Sequence, residues 1–471
     1  MLYRGDFVYT EELSDLRICR DHLLAVDTTG HISHFDHAST TLSRSLLSNE
    51  PDDQIVLIPS GSFVLPTFCD LHLHAPQFLY QGTGLHLPLM EWLNEYAFKA
   101  EESLDQDADL ARLVYTRLGE RLIENGTGAV LLFGTIKEET NLILAETMQR
   151  IGIRAFIGKL SMDISTRPTY VEPAHSESIA SARSFIDRMK ALTSHLPDHA
   201  RLVEPVLTPR FVPTCSDALL RGLGELAEQT GIRVQSHLAE ARDQMKAVQE
   251  TRGMTDLEVF ERARLMTART IQAHCTYLSP EELSRLAQHG TAIAHCPLSN
   301  AYFSARQFVL REALDRGVRV GLGTDVAGGY SIDVMGAMRW AVGVSRLLEG
   351  ARLERSGWQA SGAKDREIDA AIGTRGVHVD WKEALYLGTR GGALALGLGS
   401  GVFKIGAPFD AQQIRLFNPS IPPGGTAGTG PLDFFDPGSF HLSPEVVEKW
   451  WCLGDTRNRT GMWIQGGRLF G

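Results

Sequence analysis

Short apolar runs alternate with helix-period segments along most of the chain. The runs predict strands at 64–71, 128–134, 153–160, 201–208, 232–237, 270–275, 291–295 and 318–323. Between them, DADLARLVYTRLGERLIENG (107–126), EETNLILAETMQRIG (138–152), SDALLRGLGELAEQTG (216–231) and SPEELSRLAQHG (279–290) repeat apolar residues every three to four positions. That spacing gives a helix one buried face. Eight strands, each followed by a helix, predict a parallel α/β protein, and the span from about 64 to 350 has the size of a (β/α)8 TIM-type barrel. A doubly wound open sheet would carry a Gly-rich turn after its first strand, and none stands there.

The two ends have a different pattern. DFVYT and HLLAVDTTGHISHF near the start, with a turn at Thr29-Gly30, and FDAQQIRLF, WWCLGDTRN and GMWIQGGRLFG near the end all predict antiparallel strands. Residues 1–63 and 395–471 are therefore expected to form one small β-sandwich domain, with the barrel in 64–394. ARLERSGWQASGAKDREIDAAIGTRGVHVD (351–380) is polar and predicts a surface excursion. No repeat of fixed period is present.

Composition narrows the class of function. The chain has 471 residues, 43% of them hydrophobic and 22% charged, enough to bury a large core. A net charge of −11 without any Lys/Arg block disfavours nucleic acid. The six cysteines form no CxxC pair, which excludes a disulfide framework or thiolate zinc site and suits a reducing compartment. MLYRGDFVYTEEL lacks the apolar run of a signal peptide, and GAVLLFGTI (128–136) is far short of a membrane span. A soluble cytoplasmic protein is expected.

The histidines follow the strand frame. His72 and His74 end the first strand in CDLHLHAPQ, His237 the fifth, His274 the sixth and His295 the seventh, while Asp325 ends the eighth. The carboxyl ends of all barrel strands meet on one face, so these distant residues converge. Positions i and i+2 of a strand point the same way, so His72 and His74 can grip one ion. His72, His74, His237 and Asp325 make a mononuclear site that suits zinc or iron and leaves room for water. No lysine ends the fourth strand to bridge two metals. His274 is either a further ligand or a hydrogen-bond partner of the attacking water. Glu240, three residues after His237, is placed to carry a proton, the alternative being a favourable acid at the start of the next helix. Asp325 can both bind metal and accept the proton of the water. The other eleven histidines, His31, His34 and His37 among them, lie outside this frame and are expected at the surface or in packing.

These residues resemble the amidohydrolase superfamily, and within it the members that deaminate guanine. The resemblance runs through TFCDLHLHAPQFLYQGTGLHLPLMEWLNEYAF (67–98), TPRFVPTCS (208–216), QSHLAE (235–240), AHCTYLS (273–279), AHCPLSN (294–300) and GLGTDVAGGYS (321–331). HxH and TD are common to the superfamily, whereas HAPQ, LPLMEWL and TPRF are narrower. The resemblance implies one Zn2+ per chain, Glu240, Asp325 and His274 as catalytic residues, and a homodimer without nucleic-acid or membrane partners. It also implies purine contacts from Gln77, Arg210, Phe211, His237 and Glu240, with Trp92 as a wall of the pocket. The implied reaction converts guanine and water to xanthine and ammonia. Two features depart from the family: Leu298 replaces the usual Asn of AHCPLSN, and the 351–380 excursion is longer. Alternative readings are a related deaminase acting on a triazine, cytosine or adenosine-like substrate, and a non-catalytic scaffold, although the scaffold should have lost ligands. No H-x-E paired with P-C-x-x-C is present, which sets aside the cytidine-deaminase type.

Overall fold

A computed structural model describes residues 1–355, 376–418, 420, 428–434 and 441–470. The chain opens with β1 (Leu2–Thr10), β2 (Leu16–Val26), β3 (Ile32–His37), β4 (Ile55–Leu57) and β5 (Ser62–Pro66). It then runs through eight strands separated by helices: β6 (Phe68–His74), β7 (Thr127–Phe133), β8 (Arg154–Ser161), β9 (Val203–Pro209), β10 (Arg233–Leu238), β11 (Thr270–His274), β12 (Ala292–His295) and β13 (Arg319–Leu322). Finally β14 (Ala411–Arg415), β15 (Arg459–Ile464) and β16 (Gly467–Phe470) return to the first group. The two ends share one eight-stranded sheet in the order β16-β15-β14-β5-β1-β2-β3, with β4 paired to β1.

The β2–β3 turn falls where expected. Asp27 Oδ1 accepts bonds from the backbone N–H of Thr29 (2.8 Å) and His31 (3.1 Å). Gly30 has φ +81°, and a Cβ there would lie 1.9 Å from the Gln465 carbonyl oxygen, so only glycine fits this turn.

Strands β6 to β13 pair in sequence order, each parallel to the next. The seam between first and last closes beyond the ladder. Asp325 N–H donates to the His72 carbonyl (2.7 Å) and His74 N–H to that of Val326 (2.9 Å). Buried Asp70 reinforces it, accepting from the N–H of His72 (3.1 Å) and of Thr324 (3.0 Å) and from the Thr324 hydroxyl (2.5 Å). Burial pushes the Asp70 carboxyl up to about 7. Cys69, Leu71, Leu131, Phe156, Val206, Ile271 and Leu396 form the apolar cluster within the barrel.

The four expected helices are Ala108–Glu124, Glu138–Ile151, Asp217–Thr230 and Pro280–His289. Asp107, Ser216 and Ser279 cap three of them by accepting backbone N–H bonds, the role these short polar residues favour. Two expectations need correction. The strand expected at 64–71 is divided at Thr67. Pro66 pairs with Ala411 in the end sheet, and Thr67 N–H still donates to Asp410 (3.2 Å), but Phe68 N–H donates to Gly126 at the start of the barrel. The apolar run is continuous while its partners change. WWCLGDTRN is not a strand: helix Pro444–Leu453 ends in it, capped by Ser443 and burying Val447, Trp450 and Trp451 on one face. Of the 351–380 excursion, 351–355 complete helix Val334–Arg355, and 356–375 lie outside the described residues.

The end sheet is tied to the amino ends of the barrel strands. Arg154, first in β8, donates to both oxygens of Asp410 (2.6 and 3.0 Å), and Asp410 Oδ1 also accepts the Gln465 N–H (2.7 Å). The carboxyl ends are left free to form a cleft.

Candidate active site

At the carboxyl ends of β6, β10, β11 and β13 the structure brings together His72, His74, His237, His274 and Asp325, all buried. His237 Nδ1 lies 2.6 Å from the Arg210 carbonyl, which can only accept, so Nδ1 carries the proton and Nε2 presents a lone pair. That Nε2 lies 3.1 Å from His74 Nε2. Asp325 Oδ1 lies 3.1 Å from His72 Nε2 and 3.5 Å from His74 Nε2. Among the described residues, His72 Nε2 and His74 Nδ1 have no hydrogen-bond partner.

Burial, reinforced by neighbouring imidazoles, holds His72, His74 and His237 well below the usual histidine range, so they are neutral donors. Ligands at 2.0–2.1 Å around a tetrahedral zinc stand roughly 3.3 Å from one another, close to the spacings here. The four residues therefore fit one divalent cation.

His274 stands beside this group. Its Nδ1 lies 2.9 Å from Asn300 Oδ1, leaving Nε2 toward Glu240 Oε1 (3.6 Å) and Asp325 Oδ2 (3.8 Å). Burial first, then the charges of Asp325 and Asp243, raises the Glu240 carboxyl well above the usual range. Burial likewise raises Asp325. Glu240 precedes helix Arg242–Arg252, whose N-cap is Ala241, so its buried carboxyl is not the first-turn acid of that helix. Left-handed backbone clusters here, with φ of 48° at Ala239, 68° at His274, 54° at Cys275 and 52° at Asp325. Such non-glycine conformations concentrate where function holds a side chain in place.

A cleft opens onto this group, lined by Gln77, Trp92, Arg210, Phe211, Glu240 and Ser299 among others. Trp92 packs on Phe303 (ring centroids 5.3 Å apart) and donates Nε1–H to the Thr83 carbonyl (3.0 Å), forming one wall. Arg210 lies over the Phe98 ring (4.8 Å), and its buried Nη2 has no partner among the described residues. Every expected site residue is thus in or beside one cleft. His295 instead packs against Phe308 (5.1 Å), outside the ligand-spaced groups. His34 and His37 bond Ser43 and Ser39 near the end sheet.

Two residues escaped the sequence reading. Glu101, fully buried on helix Phe98–Gln106, accepts from Gln77 Nε2 (2.9 Å) and Arg210 Nη1 (2.6 Å). Asn300 orients His274. Asn300 stands inside AHCPLSN, whereas Glu101 lies just beyond LPLMEWLNEYAF, where one acid among several carries no signal. Leu298 is buried, so the polar contacts of its loop come from Ser299 and Asn300.

A closed parallel barrel with three imidazoles and a carboxylate at its carboxyl face defines a barrel hydrolase with a candidate metal site. Comparison with known proteins narrows that class. The family model described as "Amidohydrolase family" matches residues 63–435, and the chain belongs to this family of hydrolases. The guanine deaminase of Mus musculus is 35% identical over 478 residues, 99% of this chain and 96% of that protein. The guanine deaminase of Homo sapiens is 35% identical over 476 residues, 99% and 95% of the two chains. Among solved structures, the guanine deaminase from C. acetobutylicum with bound guanine in its active site superposes with a TM-score of 0.83 at 27% identity, covering 100% of this chain and 99% of that one. No helix among the described residues is long and apolar enough to cross a membrane.

Proposed function

We propose that this chain deaminates guanine hydrolytically to xanthine and ammonia, with one zinc ion per chain, as a step of guanine catabolism. The observation that carries the reading is a single cleft. Gln77, Arg210 and Phe211, read as base-binding groups, line it together with Glu240 and Asp325, read as proton-handling groups, and with His74 and His237. Full-length similarity to guanine deaminases supports it.

His72, His74, His237 and Asp325 would hold the ion. When bound, it supplies Lewis acidity that makes a water nucleophilic at neutral pH. The remaining work belongs to side chains. Arg210 donates to the O6 edge of the base, Gln77 bonds the adjoining ring edge, and Phe211 packs on its face. Trp92 and Phe303 exclude bulk water. Glu240 takes a proton from the attacking water and delivers it to a ring nitrogen as the C2–O bond forms. A second transfer moves the proton left on the added oxygen to the exocyclic amine, the C2–N bond breaks as C2=O forms, and ammonia leaves. The raised proton affinity of the buried Glu240 suits this alternation. His274 and Asp325 orient the water from the other side.

The test is a panel of guanine, adenine, cytosine and guanosine assayed for ammonia release, with metal content measured on the same sample. Guanine should be turned over far better than the others, since a ribose at N9 crowds the cleft, and zinc should approach one per chain. Equal rates on guanosine and guanine would reject the free-base pocket, and two metals per chain would reject the mononuclear site.

A further inference from the structure

The geometry points to Glu101 as a positioning residue that locks Gln77 and Arg210 into one arrangement and makes the base-binding end of the cleft selective for a neutral purine. This inference rests on the guanine reading above.

The two ends of the Gln77 amide differ in whether they donate or accept. Glu101 Oε1, 2.9 Å from Nε2, can only accept, and the Ala327 N–H, 3.4 Å from Oε1, can only donate. Both neighbours select the same orientation, so the amide cannot flip. It meets a ligand with one remaining N–H and one remaining lone pair.

Glu101 Oε2 takes Nη1 of Arg210 at 2.6 Å, and the Phe98 ring supports the guanidinium plane. Nη2 is left as a buried donor without a partner among the described residues. The pair as a whole carries no net charge. Without the carboxylate, the same guanidinium would be a buried cation that favours an anion. Xanthine is the more acidic of the two bases and forms an anion more readily than guanine. Glu101 thus favours the substrate over the product by cancelling the charge that would retain the product.

The experiment measures the guanine KM and kcat, and the xanthine Ki, for wild type, Glu101→Gln and Glu101→Asp, at neutral and mildly alkaline pH. Metal content and the thermal midpoint are recorded for each. Glu101→Gln should raise KM by about tenfold or more with a smaller change in kcat, because ground-state and transition-state contacts weaken together. Its ratio of xanthine Ki to guanine KM should fall by about tenfold, most at alkaline pH. Glu101→Asp keeps the charge but withdraws it by one methylene, so KM should rise several-fold with that ratio unchanged. An unchanged KM in Glu101→Gln, or Ki and KM rising by one factor, would overturn the proposal. If Glu101→Gln does not fold, Glu101→Asp decides, and an unchanged KM there overturns it equally. Wild type that releases no ammonia from guanine defeats instead the reading of the site on which the inference rests.

Discussion

His237 illustrates how a single side chain is prepared for its task. Its Nδ1 is committed to the Arg210 carbonyl, so its Nε2 faces His74 as a lone pair. Replacing His72 or His237 by Ala should therefore abolish both bound metal and activity, as metal analysis and the ammonia assay would show together; full activity in a metal-free variant would refute the site. Glu240→Gln separates chemistry from binding. It keeps the size of the side chain but cannot exchange a proton, and general acid–base assistance is worth roughly 10²–10⁴-fold. The variant should retain metal and bind guanine while kcat falls at least about a hundredfold. A kcat within a few-fold of wild type would leave the proton work to Asp325 and His274. The convergence of the proposed ligands was legible in the sequence because strand ends and the i, i+2 spacing impose direction. Glu101 and Asn300 were not, because their partners stand 24, 109 and 26 positions away and nothing local marks the pairing.

Among the elements, three of the four expected helices start at side chains that cap them, whereas the strand at 64–71 was misjudged where its partner changes. Thr67 marks no change in composition, only a switch of hydrogen-bond partner from Asp410 to the Gly126 side. The tryptophans at 450 and 451 suggested a strand, although Ser443-Pro444 already carries a helix start. One helix also has a measurable pH dependence. Asp256 begins helix Asp256–Arg262 behind a Thr255–Glu258 capping box, and accepts from Gln244 Nε2 (2.8 Å) through one oxygen while the other has no partner among the described residues. Burial pushes its carboxyl up to about 6. An acid whose folded value is raised stabilises the fold below its unfolded value and loses that contribution as pH rises through 6. Asp256→Asn removes this dependence. Its stability relative to wild type should be more favourable at pH 7 than at pH 4, by at most about 3 kcal/mol for a two-unit shift. Thermal or urea unfolding of both proteins at both pH values measures it, and a pH-independent difference would exclude the effect.

For the whole molecule, the order of strands and helices was enough to give the barrel, and the strand pattern of the two ends was enough to join them, although β1 runs parallel to β4 and β5 in an otherwise antiparallel sheet. What the pattern could not supply was how barrel and sheet are fastened, since Arg154 and Asp410 are distant in sequence and each is unremarkable alone. That joining also sets a schedule for synthesis. β5 finds its antiparallel neighbour only when Ala411 has been made, some 345 residues after Pro66. At ribosomal speeds of about 5–20 residues per second, the β5 edge stays open for roughly 20 to 70 seconds. All the proposed metal ligands, from His72 to Asp325, have left the ribosome before then. An exposed edge is a template for other chains. A nascent chain halted before Ala411 would thus hold a full ligand set beside an uncovered strand. Expressed as such a fragment, it should aggregate while the full chain stays monodisperse, a contrast that light scattering would read directly. The vulnerable interval in this protein's life falls after its proposed metal ligands are made and before its ends have met.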